Sequence, residues 1–432
     1  MTCCAIDWVS KVVQMIDVKI QRGSTVARGT LPHVGAWSES EEVIHLEGLP
    51  TEVLLQILTQ IDDVHCLWNL LISSPIASRV FNQYSEDIFW PAVTENNIPS
   101  QTQKVIRCII SIRSGAYKNT PHLTLAARIS DREAGIVLGQ SSDSDYILPT
   151  MDTTKIPNLT VMRSVLATAS RLHSLSRLCI RHYQDSLVAA KTEGRLDAPD
   201  LSAHDKLSWC EEQRMIRAFW RVQVVLEMNL AARKSQLLGT KGEGKESKDL
   251  KTEVLDIQSF YDSTSTNFKA AYHEVMTAVD YLKSLSTSKT NSGNTLVDRM
   301  PPPDSSIEDI SPSSREMPAT PDTRRSALVL PADSLWIVDS MGRNAHSPMK
   351  FAGFEPYRRM GFAIWDRNRL ARLGLASPPG HGRVTGLGSY FPSWVKLLGS
   401  QDMVRAEGKM REAECRGGRL DPLQPMIQDN AS

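Results

Sequence analysis

Apolar positions recur at helical spacing along most of this chain, and the first clear run falls at 49–84. Leu54, Ile57, Leu58 and Ile61 make an i, i+3, i+4, i+7 stripe behind Pro50, a residue suited to a helix start. Asp62 or Asp63 can cap a second helix, which carries Leu67, Leu70 and Leu71 on one side and Trp68 and Ile72 on another. Ser73-Ser74-Pro75 ends that helix and opens a third through Ile76, Val80 and Phe81. Leu55, Trp68 and Ile72 lie off the main stripes, so the unit holds more apolar surface than it can hide. A unit below about 40 residues seldom folds on its own core. The surplus calls for the rest of the chain, or a partner protein, to cover it.

The same period continues beyond this unit. Segments 86–96 (Ile88, Phe89, Trp90, Val93) and 101–114 (Val105, Ile106, Ile109, Ile110, Ile112) predict two more helices, the second apolar nearly all round and therefore buried. Longer helices are predicted over 159–187, over 207–230 and from about 250 to 282. The middle one is the strongest, with Met215, Phe219, Val222, Leu226 and Leu230 on one stripe. No block alternates with period two, so no large sheet is expected. The expected fold is all-α, with a short three-helix module at 47–96 packed on a larger irregular helical body at 97–285. A connector at 1–46 precedes the module, although Ile6, Val9, Val13, Ile16 and Ile20 could form an amphipathic helix there. The Ser/Pro-rich stretch 286–327, with Pro301-Pro302-Pro303 inside it, predicts a disordered linker, because so few apolar groups cannot offset chain entropy. A C-terminal segment at 328–432 regains apolar content and ends in a loose tail.

Charge and cysteine content narrow the function. Lys plus Arg equals Asp plus Glu at 49 each, which argues against a whole-protein role on nucleic acid or an acidic membrane. Residues 341–420 hold 14 basic against 6 acidic residues, read as a solvated basic face. Phe351, Phe354, Tyr357 and Trp365 within it read as core edges rather than stacking platforms. The seven cysteines show no CxxC spacing, which fits free thiols in a reducing compartment. Asp7, Lys11 and Asp17 break the N-terminal apolar runs, so no signal peptide is expected, and no apolar run is long enough to span a membrane. The expected location is cytoplasmic or nuclear.

Chemical motifs are incomplete. Gly239, Gly244 and Lys245 nearly spell a phosphate-binding loop, but Glu246 replaces the hydroxyl that would hold magnesium. His273-Glu274 opens an HExxH pattern, and Thr277 stands where the second histidine should be. His65 and Cys66 adjoin on one helix, where neighbouring side chains point about 100° apart and make no dyad. No catalytic, cofactor or metal residue is assigned, and the chain is expected to be no enzyme.

At 49–84 the chain resembles the F-box family. Leu49-Pro50, Glu52, Leu54-Leu55, Ile57-Leu58, the Asp62-Asp63 turn, Leu67 and Leu70-Leu71 fall where that motif has them. The third helix, with its Ser-Pro break and Val80-Phe81, is similar to the variant of fungal F-box proteins, as are the blocks at 207–221 and 358–375. The resemblance implies a substrate-receptor subunit of an SCF-type cullin–RING ubiquitin ligase. Its partners would be the small adaptor of that ligase, met by Leu49, Pro50, Glu52, Leu55, Ile57, Leu67 and Leu71, and a protein target held by the helical body. The alternative is a non-catalytic helical scaffold or regulatory protein outside any ligase. Ser311 and Thr320, each followed by proline, are candidate phosphorylation sites near Arg324-Arg325.

Overall fold

Prolines and short polar side chains set the helix boundaries of the first unit. In the computed structural model, α1 (Thr51–Thr59) starts directly after Pro50. Asp63 caps α2 (Val64–Ser73) by accepting a 2.8 Å hydrogen bond from the His65 amide. Ser74 caps α3 (Pro75–Gln83), accepting from the Ala77 amide at 3.3 Å, with Pro75 as the first helical residue. The next helix, α4 (Ser85–Thr94), follows at once. α3 packs against α1, α2 and α4, and α1 against α4. Leu54, Leu58, Leu67, Leu71, Phe81, Ile88 and Phe89 are buried in this unit. The structure describes residues 46–61, 63–94, 98–115, 157–196, 206–239, 255–262, 270–286, 341, 344, 347–378 and 387–415. Several expectations lie outside them: the N-terminal helix and connector, the Gly244-Lys245 loop, the linker at 287–327, the phosphorylation sites Ser311 and Thr320, and the tail.

The chain divides into two compact units, with one boundary after Asn96. α5 (Ser100–Arg113) therefore joins the second unit. The reason is its broad apolar surface: Val105, Ile106, Ile109 and Ile110 are buried where α5 meets α6 (Leu159–Thr192) and α7 (Trp209–Gly239). α7 is the axis of this unit, with α5, α6 and α9 (Ala270–Ser286) packed around it. The short α8 (Ile257–Asp262) lies on α9. Met215, Phe219 and Val222 on α7 are fully buried, as the sequence stripe predicts. Every described element is helix or turn, and the fold is all-α.

The C-terminal stretch belongs to the same unit as the long helices. It comprises α10 (Pro348–Ala352), α11 (Glu355–Arg358), α12 (Arg367–Arg372), a 3-10 turn at Leu387–Tyr390, α13 (Phe391–Lys396) and α14 (Ser400–Cys415). Its aromatic side chains face inward. Trp394 lies 5.2 Å from Tyr357 in an edge contact, and its indole donates to the Leu375 carbonyl at 2.9 Å. The Trp365 indole donates to the Met360 carbonyl at 2.8 Å. Tyr183 of α6 donates its hydroxyl proton to the Thr277 carbonyl of α9 at 2.8 Å, and burial pushes its pKa well above the usual tyrosine range.

Gly361 fits a place no other residue can. Its φ is +80°, and a Cβ there would stand 2.8 Å from the Trp365 ring and 2.9 Å from the Tyr183 Cβ. Gly361→Ala is expected to cost at least about 2 kcal/mol. By contrast, Gly374→Ala meets open space at φ +68° and adds backbone strain alone. A thermal melt followed by circular dichroism should rank Gly361→Ala clearly below Gly374→Ala.

Candidate functional site

Two places in the structure gather the residues that the sequence singles out. The first is the surface of α1 and α2. The structure sorts the seven residues assigned to adaptor contact by exposure. Pro50 and Glu52 are exposed, and Leu49 and Leu55 are half-buried. Ile57 and Leu71 are buried, and Leu67 is 0% exposed. Leu67 and Leu71 follow Val64 at helical spacing and fill the core side of α2. These three residues hold the helices in place and present no surface of their own.

Ile72 supplies apolar surface that the assigned set leaves out. It is 64% exposed, and the half-buried Trp68 lies one turn before it on the same flank of α2. The signal was visible in the sequence as an apolar pair off the main stripe. On the same helix the Asn69 amide lies 3.1 Å from His65 Nε2, and Cys66 is exposed.

The second place is a buried set of ions on α7. Glu211, Arg214, Arg217 and Arg221 recur at helical spacing and point into the unit. Arg217 grips Glu274 of α9 with two hydrogen bonds, Nη2 to Oε1 at 2.6 Å and Nε to Oε2 at 3.1 Å. Arg221 Nη1 adds a third at 2.8 Å. Glu274 is 0% exposed. Burial pulls the Arg217 pKa below the usual arginine range, opposed by the Glu274 charge. Arginine still stays protonated at any physiological pH.

Glu211 joins the sequence blocks 207–221 and 358–375. Arg369 of α12 binds it through Nε at 2.7 Å and Nη2 at 2.9 Å, with the guanidinium 4.9 Å from the Trp365 ring centre. The Asp366 amide also donates to Glu211, at 3.1 Å. Arg214 donates to the Ile364 and Trp365 carbonyls at 3.1 and 3.2 Å. Block 207–221 is thus bolted to block 358–375 by charge-assisted bonds. Two members of the basic surplus, Arg358 and Arg369, are buried rather than solvated. Arg358 pairs with Asp280 at 2.9 Å.

These groups are placed to bind one another rather than a substrate. Glu274, the second residue of the incomplete HExxH, is committed to two arginines. Thr277 turns its hydroxyl to the His273 carbonyl at 2.8 Å. Among the described residues no group of three or more His, Cys, Asp and Glu could hold a metal ion. No described helix is long and apolar enough to cross a membrane. No family model, curated protein or solved structure matches the chain.

Proposed function

We propose that the chain is an F-box substrate receptor of an SCF-type ubiquitin ligase, working in the cytoplasm or nucleus. It performs no chemistry itself. α1 and α2 bind the adaptor, and the second unit holds a protein target so that the ligase can modify it by proximity. The observation that carries this reading is the folding of the F-box-like stretch with α4 into a compact unit that still leaves Ile72 exposed beside Trp68. Buried apolar anchors dominate interfaces of this kind, so a few residues decide the affinity. A second reading, the helical scaffold outside any ligase, is favoured by the enclosure of Ile57, Leu67 and Leu71.

Co-purification with the adaptor separates the two. Wild-type protein should retain the adaptor at micromolar concentration. The double variant Leu55→Asp, Ile72→Asp should lose it by tenfold or more, since about 1.4 kcal/mol is already tenfold. Its melting temperature should stay close to wild type, because neither side chain is buried in the core. A wild type that fails to retain the adaptor rules out the ligase reading.

A further inference from the structure

We infer that the outer face of α6 is a docking strip for an extended, carboxylate-rich peptide segment of a partner protein. From 159 to 184 this helix carries Arg163, Arg171, Arg177 and Arg181 and not one Asp or Glu. The four arginines fall within about a third of the helix circumference. Arg171 and Arg181 are exposed, and the Arg177 side chain is 35% exposed. Glu212 of α7 lies 3.7 Å from Arg177 Nε, and exposed Asp185 follows Arg181 by one turn.

A solvated helix face normally mixes both signs of charge, because i, i+4 pairs of opposite sign support the helix. Arg177 and Arg181 are like charges at that very spacing, an arrangement that disfavours the helix by itself. Half-buried Ala167 and Ser174 lie between the arginines, so a partner backbone can approach closely.

The spacing selects the occupant. Arg171 to Arg177 is a rise of about 9 Å, and Arg177 to Arg181 about 6 Å. An extended chain brings every second side chain to the same face, about 6.6 Å apart, so acids at alternate positions meet the strip together and the long arginine side chains take up the remaining offset. Guanidinium groups bind carboxylates as two-pronged partners. Nucleic acid fits less well. The strip lacks aromatic platforms, and the nearby His182 ring is turned towards Tyr281 at 5.4 Å. A membrane surface fits less well too, for the strip offers only half-buried Leu159 and Leu178 as large apolar side chains.

The inference rests on the proposed function only for the peptide's role as a degradation target; its test needs no adaptor, so either can fail alone. The full chain is titrated, by fluorescence anisotropy, with a Gly/Ser peptide bearing Glu at positions 1, 3 and 5. Comparison probes are a peptide with the three acids adjacent, a neutral peptide, an oligothymidylate and anionic phosphatidylserine vesicles. The spaced peptide should bind most tightly and weaken as salt rises. The triple variant Arg171→Gln, Arg177→Gln, Arg181→Gln should weaken it roughly tenfold or more with an unchanged thermal melt. Equal binding of the neutral or adjacent-acid peptide overturns the inference. So does unchanged binding in the triple variant, or tighter binding of the oligothymidylate or the vesicles. The comparison among peptides uses wild-type protein only, so it stands even if the variant misfolds.

Discussion

Glu274→Ala is expected to lower the melting temperature of the second unit by roughly 6–20 °C. The carboxylate is fully buried and accepts three hydrogen bonds from Arg217 and Arg221. Removing it strips two buried guanidiniums of their shared counter-charge, which costs about 3–5 kcal/mol. Each kcal/mol shifts the melting temperature of a unit this size by about 2–4 °C. The exposed pair of Glu355 and Arg359 is the internal control. Their side chains are 54% and 52% exposed, and the Arg359 hydrogen bond holds the Glu355 carboxyl below the usual range. A pair so open to water contributes only about 0–1 kcal/mol. Thermal melts should therefore show a large drop for Glu274→Ala and almost none for Glu355→Ala. Similar small shifts for both would mean that the buried arginines find other partners once Glu274 is gone.

Leu67→Asp should unfold the first unit and leave the second intact. Leu67 has no exposed surface, and a buried unpaired carboxylate costs several kcal/mol even after relaxation. A core of this size supplies no more than about 3–5 kcal/mol in total. Limited proteolysis should then cut throughout 49–94 while α7 survives. Ile72→Asp, on the exposed flank of the same helix, should leave the proteolytic pattern unchanged. If Leu67→Asp also survives intact, the core drawn around α2 and α3 is not what holds the unit together. The contrast matters for function, because loss of adaptor binding in Leu67→Asp would report unfolding rather than a lost contact.

Local signals in the sequence carried the helices well. Pro50, Asp63 and Ser74-Pro75 mark boundaries through their own backbone chemistry, with no help from distant residues. The stripe at Met215, Phe219 and Val222 needed only the helical period. Packing partners were harder to foresee. α5 has a broad apolar surface, and such a helix can be buried against any neighbour, so its period says nothing about which one. Apolar periodicity counts charged residues as surface, so it gives no sign that the ion set on α7 is buried. Glu211, Arg214, Arg217 and Arg221 repeat at the same period as the apolar stripe, and α7 is buried on both sides. The two blocks at 207–221 and 358–375 stood out in the sequence, but only folding brings Glu211 against Arg369. Among the site residues, the spacing of Leu67 and Leu71 could not distinguish a core from an interface. Trp68 and Ile72, off that stripe, were the better pointer to exposed surface.

Hydrogen exchange of the wild-type chain with and without the SCF adaptor tests the central proposal most directly. The account predicts slowed exchange over residues 49–73, around Pro50, Leu55, Trp68 and Ile72, with α6 and α7 unchanged. Exchange that stays the same throughout at micromolar adaptor, or protection confined to the second unit, would contradict it.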